Sequence, residues 1–151
     1  MFITTSRKAD HLEKKVAKYF SFFLPNLKLI PRGKTPLKKL FEKSCFLGFD
    51  YFIKLSKNKS FFVLEIYKLR KDQYFLNKKY VIDLQDLNHK IPLKEIRKIN
   101  SLVYDQTKKF VFLNLDNSEK ESDYKILEEK GNVGFYFAEK DLGFSFKICE
   151  E

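Results

Sequence analysis

Two short stretches carry the residue types best suited to holding an anion. Thr4-Thr5-Ser6-Arg7-Lys8 and Arg32-Gly33-Lys34-Thr35 each set hydroxyls beside cations. Both fall where a strand-like run gives way to a helical one. At a helix N-terminus the unpaired backbone N–H groups and the helix dipole favour negative charge. The chain has only four Arg, and Arg7 and Arg32 are two of them. Guanidinium pairs bidentately with phosphate oxygens and stacks on bases, which Lys does not. The expected phosphate contacts are therefore Thr5, Ser6, Arg7 and Lys8 from the first stretch. Arg32, Gly33, Lys34 and Thr35 supply them from the second, and Lys38 and Lys39 (with Lys43) extend the track along the outer face of the following helix.

Other chemistries fit the sequence less well. Gly33-Lys34-Thr35 has the ending of a phosphate-binding P-loop, but that motif needs a glycine five residues before Gly33. Lys28 stands there, and Pro36 follows at once. Gly134-Phe135-Tyr136-Phe137 after Lys130-Gly131 is one residue too long for an RNA-recognition-motif strand, so a core hairpin is expected instead. Asp50 and Glu65, on adjacent expected strands, are the one carboxylate pair a metal-dependent nuclease would use. Tyr67 occupies the place of the usual lysine. His11 and His89 lack metal-ligand spacing with Cys45 or Cys149, and Ser6 has no evident base, so capping is its default role. No catalytic residue, metal or cofactor is expected.

The elements that position these residues follow from periodicity. Residues 2–5 read as a short strand. Ser6 or Asp10 then caps a helix whose inner stripe is Leu12, Val16, Tyr19, Phe20, Phe23 and Leu24, ended by Pro25-Asn26. Residues 27–30 form a second strand. Thr35 as N-cap and Pro36 at the first position open a second helix, lined inside by Leu37, Leu40, Phe41 and Cys45 and ended at Gly48. Strands are expected at 50–55, 61–67 and 80–84, with a turn at 57–59. Pro92 opens a third helix with Leu93, Ile96, Ile99, Leu102 and Val103 on one face. A strand at 110–115, a polar loop at 117–123 and a closing hairpin of 133–138 with 144–148 complete the chain. The alternation of strand and helix predicts an α/β or α+β domain. If the first strands are parallel, both basic junctions emerge at one edge of the sheet.

Charge sharpens the expectation. Net charge is +10, and residues 1–60 hold 14 Lys or Arg against 4 Asp or Glu. The remainder is balanced, so the whole excess sits with the two junctions, the footprint of a polyanion binder. With 17 Phe among 151 residues, one sizeable core is expected. The apolar runs are too short for a membrane span, no leader is expected before Phe2, and two cysteines without close partners fit a reduced intracellular chain.

These residues also carry a family likeness. Ile3-Thr4-Thr5-Ser6-Arg7-Lys8 resembles the opening motif of Brix-domain proteins. The likeness continues through Leu24-Pro25-Asn26, Arg32-Gly33-Lys34, Leu37-Lys38-Lys39-Leu40 and Gly48-Phe49-Asp50, covering about the first third of the chain. Many members carry Gly-Pro near the last strands, whereas here Phe144 follows Gly143. The resemblance implies an archaeal-type minimal Brix or Imp4-like protein, one domain over 1–151 with two similar halves, about 1–75 and 76–151. Each half is expected to be like the anticodon-binding domain of class II aminoacyl-tRNA synthetases, with helices packed on mixed sheets. A division near 70–77 is also compatible with the sequence. The resemblance further implies a non-enzymatic factor of ribosome biogenesis that binds precursor ribosomal RNA and assembly proteins, monomeric and away from membranes. It would be cytoplasmic if archaeal and nucleolar if eukaryotic. A tRNA-binding accessory protein is the alternative within binding modules, and a metal-dependent nuclease the alternative outside them.

Overall fold

β1 (Phe2–Thr5) is buried at all four positions, as befits a strand flanked by neighbours and covered on both faces. β2 (Lys28–Leu29) and β3 (Tyr51–Asn58) lie on either side of it, both parallel. The computed structural model describes residues 1–71, 73–100, 102–110, 113, 115 and 122–151. Among these, nine strands form one mixed sheet, with three helices packed on it.

The chain leaves β1 through α1 (His11–Phe23) to β2, then returns over β1 through α2 (Leu37–Phe46) to β3. Two right-handed crossovers in opposite directions put their helices on opposite faces. The core divides accordingly. Val16, Tyr19, Phe20 and Phe23 of α1 join Ile3, Ile53 and Leu55 in the large cluster. Leu40 and Phe41 of α2 join Phe2 and Phe52 in a small one on the other face. Neighbouring residues of each strand thus serve opposite cores, as a period of two requires.

The rest of the sheet is antiparallel until its far edge. β4 (Phe61–Arg70) pairs with β5 (Gln73–Leu87), and β5 with β9 (Lys140–Glu150). β9 then pairs with β8 (Asn132–Phe137), β8 with β7 (Tyr124–Glu129), and β7 runs parallel to β6 (Val103–Asp105). β1-β3-β4-β5 and β6-β7-β8-β9 therefore repeat one pairing pattern: a parallel pair, then two antiparallel ones. The two sets meet at β5 and β9.

α1 spans both sets. The Phe20 ring lies 5.2 Å from Phe146, and the Phe23 ring 4.9 Å from Phe144 and 5.1 Å from Phe135. The Tyr124 hydroxyl donates to the Phe23 carbonyl at 2.7 Å. α3 (Leu93–Ile99) is tied to the same helix, with Arg97 over the Phe22 ring and the Asn100 amide donating to the Phe22 carbonyl at 2.6 Å.

Several expectations need correction. Leu12 belongs to no buried stripe, being 37% exposed at the first turn of α1. The third helix ends at Ile99, so Leu102 is exposed and Val103 opens β6. The β3–β4 turn lies at Lys59-Ser60, with Lys59 at φ 55°, and β3 runs on to Asn58. β5 is 15 residues long, far beyond 80–84, and both the 70–77 division and the one near 75 fall largely within it. Its first part, Gln73–Leu76, is held by pairing with Arg70–Tyr67 of β4, not by a buried face. β6 and β7 were not expected. The strand expected at 110–115 is not seen at its described residues: Phe110 lies in a turn and its carbonyl accepts the Leu113 N–H at 2.9 Å, while 111, 112, 114 and most of the loop 117–123 lie outside the described residues. The closing hairpin is present, with Phe144, Phe146 and Ile148 inward and Lys147 outward.

Gly143 anchors that hairpin to the end of β5. It adopts φ +79°, and a Cβ there would lie 1.8 Å from the Asn88 carbonyl oxygen. The Asn88 N–H donates to the Gly143 carbonyl at 2.8 Å. Gly143→Ala meets both backbone strain and a backbone clash, and is expected to cost about 3 kcal/mol. Thermal unfolding should register a fall of roughly 6–12 °C; an unchanged melting temperature would show that the Asn88 loop yields freely.

Candidate nucleic-acid interface

Because β1 and β2 are parallel, the segments following them emerge side by side. The Arg7 guanidinium donates to the Lys34 carbonyl at 3.2 Å, which joins the two junctions directly. The Ile30 N–H, donating to the Ile3 carbonyl at 2.9 Å, continues the β1–β2 pairing to the mouth of the second junction. Arg32 folds back, its Nε donating to the Thr35 carbonyl at 3.1 Å while the Thr35 N–H donates to the Arg32 carbonyl at 3.0 Å.

Between this loop and the side of α1 lies a cleft of about 590 Å³. One wall is the helix, presenting His11, Lys14, Lys15 and Lys18. The other is Pro31, Arg32 and Gly33, with Leu29 and Thr5 bordering the cleft from the strands. No carboxylate lines it. The two nearest acids in sequence are engaged elsewhere. Glu13 is buried and accepts the Ser6 N–H at 2.6 Å and the Ser6 hydroxyl at 3.0 Å. Asp10 caps α1 through the Glu13 N–H at 2.7 Å and pairs with Lys57, at the end of β3, at 2.8 Å. Among the described residues Lys14, Lys15 and Lys18 form no ion pair. Uncompensated cations facing a concave surface raise local positive potential there.

Sequence reasoning missed the lysine wall. His11, Lys14, Lys15 and Lys18 stand at i, i+3, i+4 and i+7, so they share a helix face. That spacing was visible, but only the loop opposite distinguishes a cleft wall from an ordinary solvated face.

The expected contacts are distributed unevenly. Thr5, Arg32 and Gly33 line the cleft. Arg7 and Lys34 lie together beside it through the bond already described, and Lys8 is exposed. Ser6 is occupied by Glu13, so its hydroxyl is a tether for α1 and not a cap. Asp10 is the cap, and it fills the α1 N-terminus where an anion was expected; the site uses the side of that helix instead. Thr35 is no N-cap either: Pro36 holds that position without a side-chain bond, because Thr35 is consumed in the turn with Arg32. Lys38 borders a different hollow, with Phe41, Tyr74 and Phe75, on the α2 side, and Lys39 is exposed on α2.

The carboxylate pair considered for a nuclease does not converge. Glu65 is opposite Lys54 and salt-bridged to it at 2.5 Å. Asp50 precedes β3, four residues or roughly 13 Å along the strand from Lys54, and its carbonyl accepts the Leu69 N–H. Among the described residues no group of three or more His, Cys, Asp or Glu is placed to hold a metal. His89 contacts Tyr19, its Nδ1 lying 2.5 Å from the hydroxyl. No described helix is long and apolar enough to cross a membrane.

No family model matches the chain, and no curated protein matches its sequence. Solved structures do. The archaeal Imp4-like protein Mil matches at TM-score 0.71 and 13% identity, over 100% of this chain and 99% of its own. The chain has an Imp4-like fold. A probable ribosomal biogenesis protein from Aeropyrum pernix K1 matches at TM-score 0.64 and 11% identity, over 97% of this chain and 93% of that one. The three helices and nine-stranded mixed sheet described here thus match the Imp4-like architecture, as the opening motifs led one to expect.

The tether of α1 has a pH signature. The Lys57 hydrogen bond, and then the Glu13 N–H, hold the Asp10 carboxyl below its ordinary value. A carboxylate whose folded value is depressed stabilises above its unfolded value, and that contribution is lost as pH falls through the folded one. Lys57→Ala should move Asp10 back up toward an ordinary carboxylate, read by NMR titration of its side-chain carbon. An unmoved titration would mean that the pair is not formed in solution.

Proposed function

We propose that the chain is a non-catalytic RNA-binding factor of ribosome assembly whose RNA is precursor ribosomal RNA. The observation that carries this is the cation-walled, carboxylate-free cleft at the edge where both basic junctions meet. Backbone phosphate is the ligand such a surface attracts, and affinity then falls with salt as counterions are released. The ribosomal assignment draws on the fold shared over the full chain with a protein described as a probable ribosomal biogenesis protein, and on the Brix-like motifs of the first third.

The contacts proposed are Arg32, Lys14, Lys15 and Lys18 in the cleft, with Arg7, Lys8 and Lys34 beside it. Thr5 and Gly33 shape the cleft, and Lys38 and Lys39 serve at most a second surface. The repeated pairing pattern of the sheet supports two similar halves of the anticodon-binding type. By that pattern we place their division between β5 and α3, at residues 88–92, not near 75. The rest of the reading is a monomer working with assembly proteins, in the cytoplasm of an archaeal cell or the nucleolus of a eukaryotic one.

Arg32→Ala should weaken binding to unrelated RNA sequences alike and flatten the dependence of log affinity on log salt by about one unit. Lys15→Gln should do the same, whereas Lys147→Gln, on the far side of the sheet, should change neither. Crosslinking in cells followed by sequencing decides the RNA: precursor rRNA is expected, and recovery of mature tRNA instead would favour a tRNA accessory protein.

A further inference from the structure

We propose that the cleft takes one unpaired nucleotide with its base inward, so that the protein selects single-stranded RNA over duplex. This rests on the RNA-binding reading above and adds to it the kind of RNA the site accepts.

A volume of about 590 Å³ is that of a small-molecule site. A duplex backbone passing over a surface needs cations on a ridge or groove and gains nothing from depth. Half-buried Leu29 and, at the rim, exposed Pro31 are apolar surfaces that a phosphate would avoid and the face of a base would cover. The cations stand to either side: Lys14 and Lys18, four residues or about 6 Å apart along α1, and Arg32 opposite. Arg32 is fixed by its Nε bond to Thr35 at 3.1 Å, which leaves the flat guanidinium end to stack on a base or fork onto a phosphate.

Thr5 supplies an independent observation. It is 5% exposed and lines the cleft, bringing a group that can both donate and accept a hydrogen bond to its border. A base edge reaching past Leu29 would pair with it. Single-strand sites elsewhere combine these same parts, a cationic track for the backbone and a surface for base faces.

The chain contains no Trp, so Pro31→Trp, at an exposed rim position, introduces a unique fluorophore. A ten-residue oligouridine and a blunt RNA duplex of equal length are the probes, titrated at fixed salt. The single strand is expected to quench the indole, and the duplex to leave it unchanged. In a Trp-free background, Thr5→Val should weaken the single strand about threefold to tenfold, with the duplex and the salt slope unaffected. Its melting temperature checks the fold. Equal quenching by duplex, or a Thr5→Val protein that binds both RNAs as before, overturns the proposal while leaving RNA binding in place. Failure of the unsubstituted chain to bind either RNA overturns the RNA reading and this proposal with it.

Discussion

Everything at the site hangs on the burial of one face of α1. Phe20 and Phe23 are wholly buried, as are Phe135, Phe144 and Phe146 against which they pack. Each such ring withdrawn from water is worth on the order of 1.5–3 kcal/mol. The cluster fixes the rotation of the helix about its axis. With that rotation set, Lys14, Lys15 and Lys18 lie on the side of the helix that borders the cleft, across from the β2–α2 loop. A packing constraint at the centre of the molecule thus becomes a charge pattern at its edge.

Polar bonds refine what packing begins. Glu13 lies under the first turn of α1 and gathers Ser6, while Asp10 and Lys57 tie the helix start to the end of β3. Two acids near a cationic cleft would ordinarily weaken it. Here both are turned to structural use, one buried and one paired, so neither faces the cleft. The Arg7 bond to Lys34 then holds the two junctions in register with each other. Parallel pairing of β1 and β2 brings the junctions near, and this contact fastens them.

What could be read from the sequence was what depends on local spacing. The β1 run, the Val16-Tyr19-Phe20-Phe23 stripe, Gly48 after α2 and the closing hairpin all follow from periodicities of two or 3.6 and from turn residues. The two junctions were legible because hydroxyls, Arg and Gly cluster there. Nonlocal causes stayed hidden. The strand Gln73–Leu87 includes Lys78-Lys79 and lacks alternation in its first part, so only its partner β4 reveals it. Thr35-Pro36 has the form of a helix start, yet Arg32 bends back and takes Thr35 into a turn. The lysine face of α1 is the same as many solvated faces until the loop from residue 30 onward is laid across from it.

The docking of α1 also orders events in time. The Tyr124 hydroxyl and the Phe23 carbonyl are 101 positions apart, and Phe144 and Phe146 are farther still. During synthesis α1 leaves the ribosome with its aromatic side uncovered, and the strands that cover it are made much later. Contacts of such long range slow folding and leave sticky intermediates exposed. The nascent chain therefore carries a greasy, lysine-backed helix through most of its own translation, and its first third completes its packing only once the closing hairpin has emerged.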